Sequence, residues 1–498
     1  MSHGRVWLAL VALCVACGES EGGEASAEPP WELSREAGWL RGDLHLHTTW
    51  SHDGWDSVGQ VIALAEYLES DLFLDAHPEY VGNGVDFLGI TDHRNIDVAN
   101  DPELASDRLV VVAGEETGSD GHANVWGHSS HISHDPMGTG ATHETVQSAA
   151  KEAHAQGALF SPNHLYLEGD PWYWDVREID SIEIWSSGWA VASAPYLDKT
   201  KLEAWEADHG PASPFFRHGL TRGDGLASDQ SLAYYEALLA RGIHTAVVGG
   251  SDRHTLVLPG FPTTYVQATS ADRPGLLEGI RRRHTFVSRT PASAQLAGNL
   301  TVNGKEYQFG DAVPLGADQL RVQLEIQVTR ASGGILRVLR GSSVASDAEL
   351  GSAPMGKVVL EAETSQEPTS HTYGFEARPG DWLYAMVWEP LIFDTASPAM
   401  EAKAREAAAA AIRSGANPTD LIPVVGDLVD NNVLLDGSRC DPEAWDPELF
   451  QCVPLVEKGF GTFFIPDYLD RAMNVVAHAG QPTEYCMGAI ASALVFSR

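Results

Sequence analysis

Residues 42–54 have the sequence GDLHLHTTWSHDG, in which His45, His47, His52 and Asp53 fall within one short segment. Apolar and polar residues alternate up to His47, and this periodicity predicts a β-strand in which residues i and i+2 point to the same face. His45 and His47 are therefore expected to project side by side. Two neutral imidazoles in that arrangement can bind one metal ion, and Asp53 on the following loop would offset its charge. The alternative interpretation is a solvated turn that contains histidine.

The composition of the chain limits its size class and its partners. Its 498 residues are enough for two or three domains, and its 43% hydrophobic and 20% charged residues are typical of a globular protein. Asp and Glu number 69 against 32 Lys and Arg, which gives a formal net charge of −37. A surface this acidic repels phosphate backbones and lacks the basic footprint of a nucleic-acid-binding protein. We therefore expect no nucleic-acid partner.

The N-terminal segment resembles a bacterial lipoprotein signal. An apolar run at residues 6–16 is too short to span a bilayer, and LCVACG at residues 13–18 resembles a lipobox that is cleaved before a lipidated cysteine. This predicts a signal peptide over residues 1–16, a lipid on Cys17 and a flexible tether over residues 17–38. Ordinary signal cleavage is the alternative. The expected location is outside the cytoplasm, anchored to a bacterial membrane in the periplasm or at the cell surface.

Residues 39–290 alternate short apolar runs with helical stretches, which predicts a parallel α/β sheet or barrel. One predicted helix covers residues 142–156, with Thr142 as its N-cap and Gly157 after its end. A second covers residues 229–241, between Asp229 and Gly242.

Histidine and acidic residues follow the apolar runs in this half of the chain. Because the C-terminal ends of barrel strands face the active site, these side chains are expected to converge there. They are Asp92, His93, Glu115, Glu116, His164, Asp252 and His254.

The sequence pattern changes after about residue 290. Residues 320–328, LRVQLEIQV, alternate strictly, and several short strand-like runs follow, so residues 291–498 are predicted to form a β-rich, sandwich-like domain. An insertion at about residues 394–480 contains an Ala-rich stretch that is predicted to be helical.

Several short motifs together resemble the PHP domain, a family named for polymerase and histidinol phosphatase. They occur in the family's order over about residues 40–290. The motifs are DLHLHTTWSHDG, TDH at 91–93, GEETGSDGHANVWG at 114–127, PNH at 162–164 and GGSDRH at 249–254. The lipobox, the β-rich C-terminal half and the closing AIASALVF segment resemble the CehA/McbA branch of metallohydrolases. The resemblance implies a distorted (β/α)7 barrel over residues 39–290.

The resemblance also implies that the barrel binds two or three divalent ions, Zn²⁺, Mn²⁺ or Fe²⁺. Imidazole and carboxylate ligands suit these ions. The family spacing selects Asp53 over His52 and Glu116 over Glu115. The residues that match the family's ligand positions are His45, His47, Asp53, His93, Glu116, His122, His164, Asp252 and His254.

Such a centre is expected to carry out hydrolysis. Two ions about 3.5 to 4 Å apart lower the pKa of a bridging water toward neutrality and hold the reacting ester between them. Asp252 and His254 are predicted to be catalytic residues as well as metal ligands. Arg94 and Arg253 are each adjacent to a predicted ligand and are predicted to bind the outer oxygens of a phosphate. The alternative for each arginine is a surface ion pair.

The sequence therefore predicts an exported, lipid-anchored metallohydrolase. Within that class it favours a phosphoesterase that acts on small phosphate esters through a metal-bridged hydroxide. One alternative is a carboxylic ester or carbamate hydrolase, since the same hydroxide attacks either centre. Another is a surface-binding lipoprotein without turnover, whose metal site is structural. Structural sites fill the coordination sphere, whereas catalytic sites keep a position for water, and the intact ligand set favours an enzyme.

Overall fold

The computed structural model describes residues 38–70, 74, 82, 84–167, 169–186, 196–222, 227–254, 258–316, 319–331, 333–351, 355–390, 445–446, 451–452 and 485–497. The predicted signal peptide, Cys17 and nearly all of the predicted tether lie outside these residues. So does the predicted Ala-rich helix of the insertion. Within the insertion, two short strands, Trp445–Asp446 and Gln451–Cys452, pair antiparallel.

The described part of the chain contains both helices and strands. Its α-helices are Val58–Tyr67 (α1), His143–Ala155 (α2), Lys199–His209 (α3), Pro214–Gly219 (α4), Ala227–Ala240 (α5) and Arg273–Arg281 (α6). The strands of the first half are Trp39–Leu46 (β1), Phe87–Ile90 (β2), Val110–Thr117 (β3), Ala123–Trp126 (β4), Leu159–Pro162 (β5), Ser181–Ser186 (β6), Ala246–Gly250 (β7), Thr263–Gln267 (β8) and Thr285–Ser288 (β9). Among the described helices, none combines the length and apolar character needed to cross a membrane.

The strands of the second half continue the numbering. They are Gln295–Val302 (β10), Lys305–Gln308 (β11), Ala312–Pro314 (β12), Leu320–Thr329 (β13), Ile335–Ser342 (β14), Lys357–Glu363 (β15), Thr369–Ala377 (β16), Asp381–Pro390 (β17), the pair Trp445–Asp446 and Gln451–Cys452 (β18 and β19), Tyr485–Ala491 (β20) and Leu494–Ser497 (β21). In β13 buried and exposed residues alternate over most of its length, as the sequence predicts.

The two predicted helices form, but only one begins where the sequence predicts. Thr142 caps α2 by accepting a hydrogen bond from the Thr145 amide, and Gly157 follows the helix with a φ of +77° that glycine adopts without strain. Helix α5 begins at Ala227 rather than after Asp229. Because α5 is buried on nearly all sides, packing rather than the polar residue sets its first turn.

The main sheet is mixed, not purely parallel. Its strand order is β12-β21-β17-β20-β9-β8-β1-β2-β3-β4-β5, and β14 and β15 attach through β17. Parallel pairs join β1 to β2 and β2 to β3, whereas β3–β4, β4–β5, β1–β8 and β8–β9 are antiparallel. The short loop 118–122 explains the β3–β4 pair, since parallel neighbours need a long crossover. The fold is therefore mixed α/β around one large sheet.

Strands β6 and β7 form a separate parallel pair that packs beside β1. Gly250 at the end of β7 makes this approach possible, because a Cβ added there would lie 2.3 Å from the Cβ of His45. The close contact brings the end of β7 next to His45.

In the second half, β11-β10-β13-β16 form a four-stranded sheet. One apolar cluster joins this sheet to the main sheet and contains Leu324, Ile326, Val338 and Leu383. The main sheet itself continues across residue 290, since β20 pairs with β9 as well as with β17. The domain boundary near residue 290 stays a prediction.

Candidate metal centre

The predicted ligands lie at the ends of strands that meet beside β1. His45 belongs to β1 and His47 follows it, and Glu116 lies near the end of β3. The other predicted ligands are on adjoining segments: Asp53 after β1, His93 after β2, His122 before β4, His164 after β5, and Asp252 and His254 after β7. Segments that are far apart in sequence therefore supply donors to one region.

His45, His47, Glu116 and Asp252 form the innermost group, and all four are buried. The Nε2 atoms of His45 and His47 are 3.1 Å apart. The Nε2 atom of His45 is 3.3 Å from Oε1 of Glu116 and 3.3 Å from Oδ1 of Asp252. That of His47 is 3.3 Å from Oε2 of Glu116 and 3.2 Å from Oδ1 of Asp252. Two imidazoles and two carboxylates thus face one point.

A second group, closer to the surface, joins Asp53, His93 and His254 to His47. Oδ2 of Asp53 lies 3.4 Å from Nε2 of His93 and 3.4 Å from Nε2 of His254. The rings of His47 and His254 stack with centroids 4.0 Å apart. The side chain of Asp53 is 40% exposed, so this group borders solvent.

A third group surrounds the Glu116 carboxylate with His93 and His122. Oε1 of Glu116 is 3.2 Å from Nδ1 of His122 and 3.0 Å from Nε2 of His164. Oε2 of Glu116 is 2.9 Å from Nδ1 of His93. Glu116 therefore belongs to two groups and is central to the cluster.

The three groups share donors, which limits how ions can occupy them. His47 appears in the first and second groups, and His93 appears in the second and third. A neutral imidazole offers one lone pair, so neither histidine can bind two ions at once. A carboxylate has two oxygens, so Glu116 can bridge two ions.

Electrostatic coupling within the cluster shifts the pKa values of its members. Burial alone would raise the pKa of Glu116, but the His122 and His45 imidazoles lower it well below its usual value. Burial lowers the pKa of His93 and of His122, but the neighbouring carboxylates have the larger effect. Asp53 and Glu116 raise the pKa of His93 to about 9. Glu116 and Asp170 raise the pKa of His122 to about 10. Without metal, these imidazoles hold protons that an ion would displace.

Hydrogen bonds at Nδ1 determine which nitrogen of His45 and His47 faces the centre. Nδ1 of His45 lies 2.9 Å from Oε1 of Glu183, a carboxylate that only accepts. Nδ1 of His47 lies 3.0 Å from Oγ of Ser51, whose single hydroxyl hydrogen is donated to Asp92 at 2.9 Å. In the neutral rings both protons are thus on Nδ1, and the two Nε2 lone pairs face each other.

This donor set fits a divalent cation. Two facing lone pairs at 3.1 Å beside two carboxylates repel one another unless a cation or added protons lie between them. One buried carboxylate oxygen, Oδ1 of Asp53, accepts no hydrogen bond from the part of the chain described. Buried polar atoms without partners are costly, and a bound ion would satisfy them.

His52 and Glu115, each adjacent in sequence to a predicted ligand, have surroundings that differ from those of the ligands. The His52 side chain is 69% exposed and lies 3.6 Å from Oδ2 of Asp53. Glu115 is buried away from the ligand groups, where it accepts hydrogen bonds from Nδ1 of His131 and the amide of Ile132, both at 2.6 Å. The choice of Asp53 over His52 and of Glu116 over Glu115 as metal ligands stays a prediction.

The two arginines predicted to bind phosphate differ in their contacts. Arg94 is exposed, with a φ of +48°, and its Nη1 donates to the Gly118 carbonyl at 3.2 Å. Arg253 is only 5% exposed, and its Nη2 donates to Asp56 at 2.6 Å. Nε and Nη1 of Arg253 have no hydrogen-bond partner among the described residues. A role in substrate binding stays a prediction for both.

Two carboxylates that contact predicted ligands were not predicted from the sequence. Glu183 on β6 contacts His45, and Oδ2 of Asp170 lies 2.7 Å from Nε2 of His122. Glu183 lies within the run SIEIWS, where an acidic residue in an otherwise apolar strand is a visible signal. Asp170 lies in a loop after β5 and carries no comparable signal.

No known protein family matches the chain, and no curated protein matches it. Among solved structures, it is similar to a two-domain protein from Bacteroides vulgatus ATCC 8482 that contains a predicted PHP-like metal-dependent phosphoesterase. The sequence identity is 14%, the match covers 70% of this chain and 90% of the other, and the TM-score is 0.27. A similarity this low establishes neither a shared fold nor a shared activity.

Proposed function

We propose that this chain is a metal-dependent hydrolase of the PHP type, and specifically a phosphoesterase that acts on small phosphate esters. The observation that carries the proposal is the innermost group. There, the Nε2 atoms of His45 and His47 face the carboxylates of Glu116 and Asp252 in a buried site. Such a group needs either added protons or a cation between its members, and two imidazoles with two carboxylates are ligands that suit a divalent cation.

Divalent ions held by such ligands supply Lewis acidity that activates water and neutralises charge on a reacting ester. The chain's own residues define where the ester approaches. The side chains of His45, His47 and Glu116 are at most 1% exposed, whereas those of His93, His122 and Asp53 are 12%, 16% and 40% exposed. The substrate therefore reaches the cluster from the Asp53 side.

Arg94 and Arg253 support the choice of a phosphate ester. Both guanidinium groups belong to residues adjacent in sequence to predicted ligands, and two nitrogens of Arg253 remain without a hydrogen bond in the described structure. A phosphate oxygen is the kind of acceptor that such nitrogens bind. The net charge of −37 argues against long nucleic-acid substrates, so small phosphate esters are favoured.

The finer architecture and the location belong to the same proposal. We propose that the first half is a distorted (β/α)7 barrel of the CehA/McbA type, which the packing of β6 and β7 beside β1 supports. A sandwich-like second half is supported by the apolar cluster between its two sheets. Export and a lipid anchor at Cys17 are supported by the apolar run at residues 6–16 and the LCVACG segment.

The test is a substrate panel with separately loaded metals. The purified protein is loaded with Mn²⁺, Zn²⁺ or Fe²⁺ and assayed against phosphomonoesters, phosphodiesters and carboxylic esters. We expect metal-dependent hydrolysis of a phosphate ester that Glu116→Gln abolishes and that a control variant, His131→Ala, retains. His131 is a suitable control because it contacts Glu115 outside the three ligand groups. Turnover of carboxylic esters alone would replace the phosphoesterase proposal, and no metal-dependent turnover of any ester would remove it.

A further inference from the structure

Glu183 contacts two predicted ligands that come from different parts of the chain. It lies on β6 and is 2% exposed. Its Oε1 accepts from Nδ1 of His45 at 2.9 Å, and its Oε2 accepts from the backbone amide of His164 at 2.8 Å. One carboxylate thus links β1 to the segment after β5.

The close packing of β7 limits how this carboxylate can move. A Cβ added at Gly250 would lie 2.8 Å from Oε1 of Glu183 as well as 2.3 Å from the Cβ of His45. His164, whose amide donates to Glu183, has a φ of +23°, a left-handed backbone conformation that residues other than glycine rarely adopt. The hydrogen bond to Glu183 is one of the contacts that hold the His164 backbone in this conformation.

We propose that Glu183 is a positioning residue for the metal centre, and this inference rests on the proposed function. Glu183 keeps the proton of His45 on Nδ1, so that the Nε2 lone pair faces Glu116 and Asp252. Through its second oxygen it also fixes the backbone that places His164 against Glu116, where Nε2 of His164 is 3.0 Å from Oε1. Partners of this kind typically change metal affinity about 10- to 100-fold.

The substitution Glu183→Gln tests the proton position without changing the size of the side chain. The amide of His164 can only donate, so the glutamine oxygen must face it. The glutamine NH₂ group then faces Nδ1 of His45, which becomes an acceptor and moves its proton to Nε2. A protonated Nε2 cannot bind metal. The isosteric change is therefore expected to remove the donor atom of a predicted ligand.

Glu115→Gln is a closely matched control. Glu115 is also a buried glutamate whose two oxygens accept from a histidine Nδ1, that of His131, and from a backbone amide, that of Ile132. Its histidine is not a predicted ligand. Oε1 of Glu115 also lies 3.1 Å from Nε2 of the buried His128, so Glu115→Gln disturbs at least as many contacts as Glu183→Gln. A general loss of stability therefore affects both variants, whereas only Glu183→Gln acts on the centre.

The measurement is the Zn²⁺ affinity of the full chain and of both variants, determined by competition with a chelator of known affinity. We expect Glu183→Gln to bind Zn²⁺ about 10- to 100-fold more weakly than the parent, and Glu115→Gln to stay within about threefold. Equal affinity of Glu183→Gln and the parent would overturn the inference while leaving the proposed function intact. If the parent binds Mn²⁺ or Fe²⁺ instead of Zn²⁺, the same comparison is made with that ion. A parent chain that binds none of the three ions would overturn both.

A second measurement is made on the parent protein and so does not depend on how well Glu183→Gln folds. In ¹⁵N-histidine-labelled parent protein loaded with Zn²⁺, with the His45 signals assigned from a His45→Gln spectrum, we expect the proton on Nδ1 and the metal on Nε2. A His45 that binds Zn²⁺ through Nδ1, or that carries its proton on Nε2, would contradict the positioning role of Glu183.

Discussion

The pair Asp53→Ala and His52→Ala gives the sharpest test of which residue in this loop would hold a metal ion together with His47, His93 and His254. Asp53 is the only carboxylate in the group with His47, His93 and His254, and its Oδ2 lies 3.4 Å from two imidazole nitrogens. Removing it leaves three neutral donors in this group and takes away the group's own negative charge. Loss of a residue that only contacts a metal ligand lowers metal affinity by up to about 100-fold. Loss of a ligand should have a larger effect, so we expect Asp53→Ala to lower metal affinity by more than about 100-fold, or more than about 2.7 kcal/mol.

His52 provides the matched control one position away. Its side chain is 69% exposed and contacts Asp53 only at 3.6 Å. Exposed pairs of this kind contribute at most about 1 kcal/mol, so His52→Ala is expected to change metal affinity less than about fivefold. Metal content by elemental analysis and turnover of the two variants are compared side by side. If His52→Ala loses metal while Asp53→Ala keeps it, the ligand assignment in this loop is wrong.

Three further predictions concern other parts of the chain. Burial lowers the pKa of His134 to about 3. In the unfolded chain the pKa of this imidazole is near 6.5, so as the pH falls the unfolded state takes up the proton before the folded state does. His134 therefore leaves the free energy of unfolding unchanged above pH 6.5 and lowers it by about 2 kcal/mol at pH 5. Urea unfolding of the metal-free parent and of His134→Gln should show this difference, and equal acid sensitivity of the two proteins would refute it. Gly250→Ala, which forces a Cβ against His45, should lower the free energy of unfolding by about 1 to 3 kcal/mol and reduce the bound metal. An unchanged free energy of unfolding and an unchanged metal content would contradict the close packing. Cys17→Ser should release the protein from the membrane fraction or block its processing, and normal processing with continued membrane attachment would exclude lipidation at Cys17.

The parts of the fold that local patterns determine were predictable from the sequence. The alternation of residues 320–328 appears as β13, and Thr142 and Gly157 mark the ends of α2. Both signals depend on residues that are close in sequence: the pleat of a strand and the capping of a helix. The start of α5 at Ala227 was not predictable in this way, because burial against distant segments sets it.

Long-range pairing was the part that sequence patterns could not predict. Strand β20 pairs with β9 across nearly 200 residues, which extends the main sheet from the first half into the second. Nothing in the composition of either strand specifies its partner, since many apolar strands are compatible with one another. The antiparallel pairs β1–β8 and β8–β9 escaped prediction for the same reason.

The candidate site shows the same division between near and distant contacts. His45 and His47 are recognisable because strand periodicity alone puts them on one face, and their Nε2 atoms are 3.1 Å apart. Glu183 and Asp170 act through hydrogen bonds to histidines 138 and 48 positions away, so only the folded chain reveals them. Residues that orient ligands are therefore harder to find from sequence than the ligands.

The number of divalent ions bound per chain tests the central claim most directly. The predicted ligands exceed the roughly four to six donors that one ion takes, and Glu116 belongs to two of the three groups. Elemental analysis of protein purified without chelators, before and after reconstitution with Mn²⁺, Zn²⁺ or Fe²⁺, is predicted to give more than one ion per chain. A value of one or less that reconstitution does not raise would contradict a multinuclear hydrolytic centre.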